Sequence, residues 1–256
     1  MSRTDAEKAR LAGLAERLRS LHEGPMLVLA NVWDAASARV VADSGSPAVA
    51  TTSAGIADVL GLPDGEGAPW QEMFAASARI VRAVDVPVTM DAEAGYGMSP
   101  DDLVDRLLEI GVVGCNLEDT DWQHGGLLDA DEHARWLSGV RRAAERSGVP
   151  LVVNARIDVF LPHGSVAEPD RRAEAVRRGR LYREAGVDCV YPIAAGDPEI
   201  LVALVRDIGG PVNANANPRL DLRTLQEMGV ARVSYGPKFY RAALASFADE
   251  VRSLTW

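Results

Sequence analysis

The stretch Pro87-Val88-Thr89-Met90-Asp91-Ala92-Glu93-Ala94-Gly95-Tyr96-Gly97 decides the fold. Pro87–Asp91 is a short run of the kind a parallel strand covered by helices requires. Two acids and two glycines then give turn chemistry. Ser99-Pro100 follows as an N-cap and first-turn pair opening a helix over Asp101–Ile110. Strand, polar loop, helix: this is one β/α unit, and it recurs in both directions along the chain. The other apolar runs that read as strands are Met26–Ala30, Ala48–Thr52, Val113–Glu118, Leu151–Arg156, Asp188–Pro192, Pro211–Asn215 and Arg232–Tyr235. Helical patterns fill the gaps at Ala35–Asp43, Trp70–Ala83, Asp131–Ser147, Pro169–Ala185, Pro198–Ile208, Leu222–Met228 and Phe239–Leu254. Glycine punctuates the helix ends at Gly111, Gly186 and Gly229.

Eight units with no linker or low-complexity tract predict one α/β domain over residues 1–256. A closed (β/α)8 TIM barrel fits better than a doubly wound sheet. The charged, helix-patterned segment before the first strand would close the barrel bottom. The net charge of −10 and pI near 4.9 leave no basic stripe, which argues against nucleic acid as a partner. Arg171, Arg172, Arg177, Arg178 and Arg180, interleaved with Glu174 and Glu184, read as the wet face of a helix. Cys115 and Cys189 lie in apolar runs and read as buried thiols, which suits a reducing cytoplasm. No stretch is apolar enough to span a membrane, and Met1–Leu21 has no signal-peptide core, so a cytoplasmic location is expected.

Function in a barrel sits at the C-terminal strand ends. Those ends are polar together: Asn31 to Asp34, Thr51 to Ser53, Asp91 and Glu93, Asn116, Glu118 and Asp119, Asn154, Arg156 and Asp158, and Asn213, Asn215 and Asn217. Asp91, Glu93 and Glu118 on adjacent strands would repel one another unless a cation or protons intervene. All-oxygen ligation without a His or Cys cluster suits Mg²⁺, with Mn²⁺ as the alternative. Plainer roles are also open. Asp34, Asp119 and Asp221 suit helix N-caps, Gly95 and Gly97 the turn alone, and Arg156 a structural pair with Asp158.

Taken together, these motifs resemble the isocitrate lyase/phosphoenolpyruvate mutase superfamily over nearly the whole chain. The matching pieces are Asn31-Val32-Trp33-Asp34-Ala35, Thr52-Ser53-Ala54-Gly55, Leu60-Gly61-Leu62-Pro63-Asp64, Asp91 to Gly97, Asn116-Leu117-Glu118-Asp119 and Asn154-Ala155-Arg156-Ile157-Asp158. The resemblance implies a barrel whose last helix, here 237–256 with Trp256, is exchanged between subunits of a homotetramer, a dimer of helix-swapped dimers. It implies cleavage of a C–C or P–C bond next to a 2-oxo acid through a Mg²⁺-stabilised, pyruvate-like enolate. Asp91 would ligate the metal directly, and Glu93, Glu118 and Asp64 would hold its waters. Trp33, Thr52, Ser53, Ala54, Asp91 and Asn215 would surround the substrate, a small 2-oxo or dicarboxylic acid. Arg156 would pair with its carboxylate.

The chain departs from that pattern in two places. Glu93 stands where an Asp is common. Asp119-Thr120-Asp121-Trp122-Gln123-His124-Gly125-Gly126-Leu127 stands where the lyases carry Lys-Lys-Cys-Gly-His. The segment Asp119–Asp129 reads as a mobile lid, with His124 as its one group of useful unperturbed pKa and Tyr96 as a rim hydrogen-bond donor. The expectation is a Mg²⁺-dependent lyase or decarboxylase using Arg156, Glu118, His124 and Tyr96. The alternatives are a phosphoenolpyruvate mutase or phosphonopyruvate hydrolase type of P–C enzyme and a non-catalytic 2-oxo acid binding protein. A Schiff-base aldolase on Lys238 is the remaining alternative, in a chain with few lysines.

Overall fold

Apolar runs become strands and striped segments become helices across residues 4–254, which the computed structural model describes. The order is α1 (Asp5–Ser20), β1 (Leu27–Leu29), β2 (Asn31–Val32), α2 (Ala35–Asp43), β3 (Val49–Thr51), α3 (Ser53–Leu60), α4 (Trp70–Val81), β4 (Val88–Asp91), α5 (Pro100–Glu109), β5 (Gly114–Glu118), α6 (Ala130–Ser147), β6 (Val152–Ile157), α7 (Glu168–Glu184), β7 (Cys189–Pro192), α8 (Pro198–Ile208), β8 (Asn213–Asn215), α9 (Leu222–Glu227), β9 (Arg232–Ser234) and α10 (Lys238–Ser253). All paired strands are parallel, in two runs, β2-β3-β4-β5-β6-β7 and β1-β9-β8. A bridge between Val190 and Val212 joins β7 to the residue before β8. β1 lies within the expected first strand Met26–Ala30, and β2 continues it just past that strand's expected end. β1 pairs with β9 and β2 with β3, so the first strand closes the ring. This is a TIM-type barrel.

α5 shows why these segments are helical. Ser99 Oγ accepts the Asp102 N–H, Pro100 sits in the first turn, and Asp101 and Asp102 favour the positive helix start. Its Leu103, Val104, Leu107 and Leu108 are all buried, each leucine contributing ~1.5–3 kcal/mol. Asp34 and Asp221 cap α2 and α9 as their sequence setting suggests. α1 covers the N-terminal rim. Leu11, Ala15 and Leu18 are buried, and Arg19 binds Asp188 Oδ1 at 2.8 Å and the Pro150 carbonyl at 3.0 Å.

Three readings change. α3 starts directly at the end of β3, inside a segment read as strand end and loop. It is short and lacks a side-chain cap, so no local signal announces it. Arg178 is not on a wet face: it is buried against Asp119 and Glu174. The barrel interior is also polar, not apolar throughout. Arg232 is fully buried and reaches Asn116 Oδ1 across the barrel at 3.2 Å, while Asn154 Nδ2 donates to the same oxygen at 2.9 Å.

Among its described side chains, α10 buries only Tyr240, whose hydroxyl bonds Asp58 Oδ2 at 2.7 Å. Trp256 lies outside the described residues. Among the described residues, no helix is long and apolar enough to cross a membrane.

Candidate active site

The strand register brings the rim residues together: Asp91 is level with Asn116, and Glu118 with Arg156. A cavity of about 250 Å³ opens there, and Thr52, Ser53, Ala54, Asp64, Asp91, Glu93, Glu118 and Arg156 all line it. α3 contributes more than packing. Its N-terminal residue Ser53 donates to Asp91 Oδ2 from Oγ at 2.9 Å and from the backbone N–H at 3.3 Å. A helix N-terminus favours a negative group at this point.

The carboxylates differ in how far they are satisfied. Asp91 Oδ1 is buried without a hydrogen-bond partner. Burial raises the Asp91 pKa, with Arg156 pulling the other way. Glu93 adopts φ +49° and accepts the Gly65 N–H on Oε1 at 2.9 Å, while its Oε2 is buried and unpartnered. Burial pushes Glu93 up to about 8. Glu118 Oε2 pairs with Arg156 Nη1 at 2.5 Å, and its Oε1 accepts Trp122 Nε1–H at 2.6 Å. Burial still holds Glu118 well above the usual carboxylate range, against the opposing charge of Arg156. Arg156 also grips Asp158 through two bonds of 2.6 Å, the structural pair the sequence suggested. Burial alone would raise Asp158, but the Arg156 charge and bonds bring it below its ordinary value.

These observations test the fit of a divalent cation. Two buried carboxylate oxygens lack partners, and three acids are pushed toward protonation because no positive charge compensates them fully. A hard cation with oxygen ligands would satisfy both. Among the described residues, no three such side chains form a ready-made cage. A cation here would therefore rest on one or two carboxylates and its own waters. The residues therefore fit Mg²⁺ or Mn²⁺.

Four expected residues sit elsewhere. Trp33 turns outward, packing on Tyr240 at 5.3 Å between ring centroids and lining an apolar groove on the barrel wall. Tyr96, at φ +55°, packs its ring edge-on to Phe74 and buries its hydroxyl against Glu93, behind the cavity wall and not on its lining. His124 has an 80% exposed side chain, sits with Nδ1 3.1 Å from Asp121 Oδ2, and faces a neighbouring cavity. Asn215 stands one residue back, donating to the Tyr191 hydroxyl at 2.5 Å, and Tyr191 lines the site.

Sequence reasoning missed three groups. His163, on the loop after β6, lines the cavity with Nε2 3.1 Å from Thr120 Oγ1 and 3.5 Å from Asp158 Oδ2. The strand-end rule that picked out Arg156 and Asp158, extended five residues, would have found it. Trp122 closes one side of the cavity. Asp119, read as an N-cap, is fully buried and accepts from the Asp158 N–H at 2.9 Å, Arg178 Nη1 at 2.9 Å and the Tyr182 hydroxyl at 2.7 Å. It anchors the root of the β5–α6 loop.

Comparison with known proteins gives a consistent picture. The family model for phosphoenolpyruvate phosphomutase matches residues 18–255. An uncharacterised protein of Mycobacterium tuberculosis is 33% identical over 91% of this chain and 86% of its own length. An oxaloacetate decarboxylase of Ectopseudomonas mendocina is 31% identical over 87% of this chain and 78% of its own. A provisionally assigned phosphonomutase of Burkholderia cenocepacia J2315 superposes with TM-score 0.86 at 40% identity, covering 93% of this chain and 99% of that one.

Proposed function

The chain belongs to the phosphoenolpyruvate mutase/isocitrate lyase superfamily, and from that premise we propose that it is a Mg²⁺-dependent lyase or decarboxylase. Its substrate is a small 2-oxo or 2-hydroxy carboxylic acid, and the bond it breaks is C–C. The observation that carries this reading is the pair of unpartnered oxygens, Asp91 Oδ1 and Glu93 Oε2, buried beside a guanidinium in one small cavity. Asp91 would hold the cation, and Glu93, Glu118 and Asp64 would hold its waters. When bound, the cation supplies a fixed positive charge that draws electrons toward the 2-oxo group.

The chain's own residues do the rest. Arg156 is bonded to Asp158 through Nε and Nη2 and to Glu118 through Nη1, so it offers a substrate carboxylate its fixed positive charge and its remaining Nη N–H groups. The Ser53 donors hold Asp91, and the Ala54 backbone at the start of α3, which lines the cavity, faces the oxygen on which negative charge grows. Decarboxylation leaves an electron pair on the carbon next to the 2-oxo carbon, and that carbon must gain a proton. His163 serves as the donor, since the segment Asp119–Leu127 carries no cysteine and His124 faces away.

A P–C bond enzyme is the second reading, favoured by the 40% identical Burkholderia protein. A pyruvate-release assay with Mg²⁺ over oxaloacetate, 2-methylmalate, methylisocitrate and phosphonopyruvate decides between them. Turnover of phosphonopyruvate alone overturns the first reading. Tight, metal-dependent 2-oxo acid binding without turnover makes the protein a binding protein.

Assembly follows from α10. Its Leu244, Phe247 and Leu254 are exposed, and an apolar groove of about 720 Å³ runs beside Val28, Val40 and Trp33. Exchange of α10 between subunits of a homotetramer would cover both, and light scattering on F247E, expected to give a smaller species, tests it. The two buried free cysteines, their thiols pushed up to about 12 by burial, suit a reducing cytoplasm.

A further inference from the structure

Trp122 lines two cavities at once. On one side is the carboxylate cavity of about 250 Å³, and on the other a cavity of about 390 Å³ beside the start of α6. Three contacts hold the indole between them. Nε1–H donates to Glu118 Oε1 at 2.6 Å. The imidazole of His163 lies 5.3 Å away between ring centroids. Gly65, at φ +71°, sits so close under the ring that a Cβ there would come within 2.7 Å of it. Only glycine meets both demands. The residue is 38% exposed, so the indole can leave this position without opening the core.

We propose that Trp122 is the specificity wall of the site: its ring limits the substituent on the carbon next to the 2-oxo group, and the cavity behind it is the subsite a larger substituent would enter. The inference rests on the 2-oxo acid reading above. The chemistry of the rear cavity defines what would enter. Met98, Leu128 and Trp136 give it apolar walls, and its charged lining residues are Glu66, Asp121 and Glu132, with no Lys or Arg among the described residues there. His133, also at that wall, is buried and held neutral, pushed down to about 3 by burial and by Arg178. His124 is taken up by Asp121. The subsite therefore suits an uncharged alkyl chain and repels a further carboxylate. With Trp122 in place an alkyl chain is excluded by size, whereas a tricarboxylic acid is excluded by charge whether or not the wall stands.

Calorimetric titration in Mg²⁺ with pyruvate, 2-oxobutanoate, 2-oxohexanoate and 2-oxoglutarate tests this without requiring turnover. The native protein should bind pyruvate and lose tenfold or more by 2-oxohexanoate, the order of ~10–200-fold that a misfitted methylene carries. W122A should erase that loss for 2-oxohexanoate and leave 2-oxoglutarate weak. W122F keeps a ring but removes the donor to Glu118, and should retain the native chain-length order. An unchanged order in W122A, or loss of the order in W122F as well, overturns the wall. Equal gains for 2-oxoglutarate and 2-oxohexanoate overturn the alkyl subsite. If no 2-oxo acid binds any of the three proteins, the 2-oxo acid reading itself falls, which is a distinct result.

Discussion

Glu118 and Asp119 are consecutive, both fully buried acids, yet they belong to two differently built regions. Asp119 faces away from the cavity into a cluster that satisfies it: the Asp158 N–H, Arg178 and the Tyr182 hydroxyl all donate to it. Glu118 faces the cavity alongside Asp91 and Glu93, where two carboxylate oxygens have no partner. A buried charge costs several kcal/mol unless paired. The first region gives both oxygens of Asp119 a partner, although burial still raises its pKa, so it is structural. The second leaves that cost unmet, so it is poised for something that binds. Unsatisfied burial, not burial alone, separates a site from a brace.

The sharpest attempt to break this contrast is R178M. It strips Asp119 of its cation and should cost about 3–5 kcal/mol in chemical denaturation. Turnover per folded molecule should change less than tenfold. A large loss of turnover with full stability would show the brace to be part of the chemistry. D91N makes the opposite demand. Metal-dependent turnover should fall on the order of 10²–10³-fold, while the melting temperature measured without metal holds or rises, because a desolvated carboxylate is gone. A strong drop in melting temperature would place Asp91 with the structural acids. H163N should lower kcat on the order of a hundredfold with KM little changed, and an unchanged kcat removes His163 as the proton donor.

The smallest effects concern pH, and the two regions should respond with opposite sign. Glu93 is raised from 4.5 to about 8, so without metal the native state holds a proton that the unfolded chain has lost. Its contribution to stability is full below about 4.5 and is lost as pH rises through 8. His133, beside Tyr182 of the brace at 5.2 Å between ring centroids, is lowered from 6.5 to about 3. Its contribution is present above 6.5 and lost as pH falls toward 3. Melting curves of E93Q should flatten the alkaline slope, and those of H133N the acid slope. Either variant moving the other slope would mean that the two regions are coupled.

The eight strands, most helices and the set of rim acids were legible in the chain because their signals are local. The Asp91 to Gly97 stretch carries its own turn, and Ser99 caps its own helix. Residue identity also announced Arg156 with Asp158. Trp33, expected at the site from its motif, packs on the barrel wall, and His124, expected for its titratable ring, lies on an exposed loop facing a neighbouring cavity, while Tyr96 meets Glu93 from behind the cavity wall. α3 escaped notice because it is short, uncapped and directly continuous with a strand.

Sequence alone thus determined the repeated β/α unit, the polar rim and the excess of carboxylate gathered there. Only the tertiary structure decided that Glu118 and not its neighbour Asp119 faces the cavity. Barrel strands are buried on both faces, so the period-two alternation of side chains carries no polarity signal to tell inside from outside. Asp119 meets Arg178 across 59 residues and Asn116 meets Arg232 across 116, partners that only the closed ring brings within bonding distance.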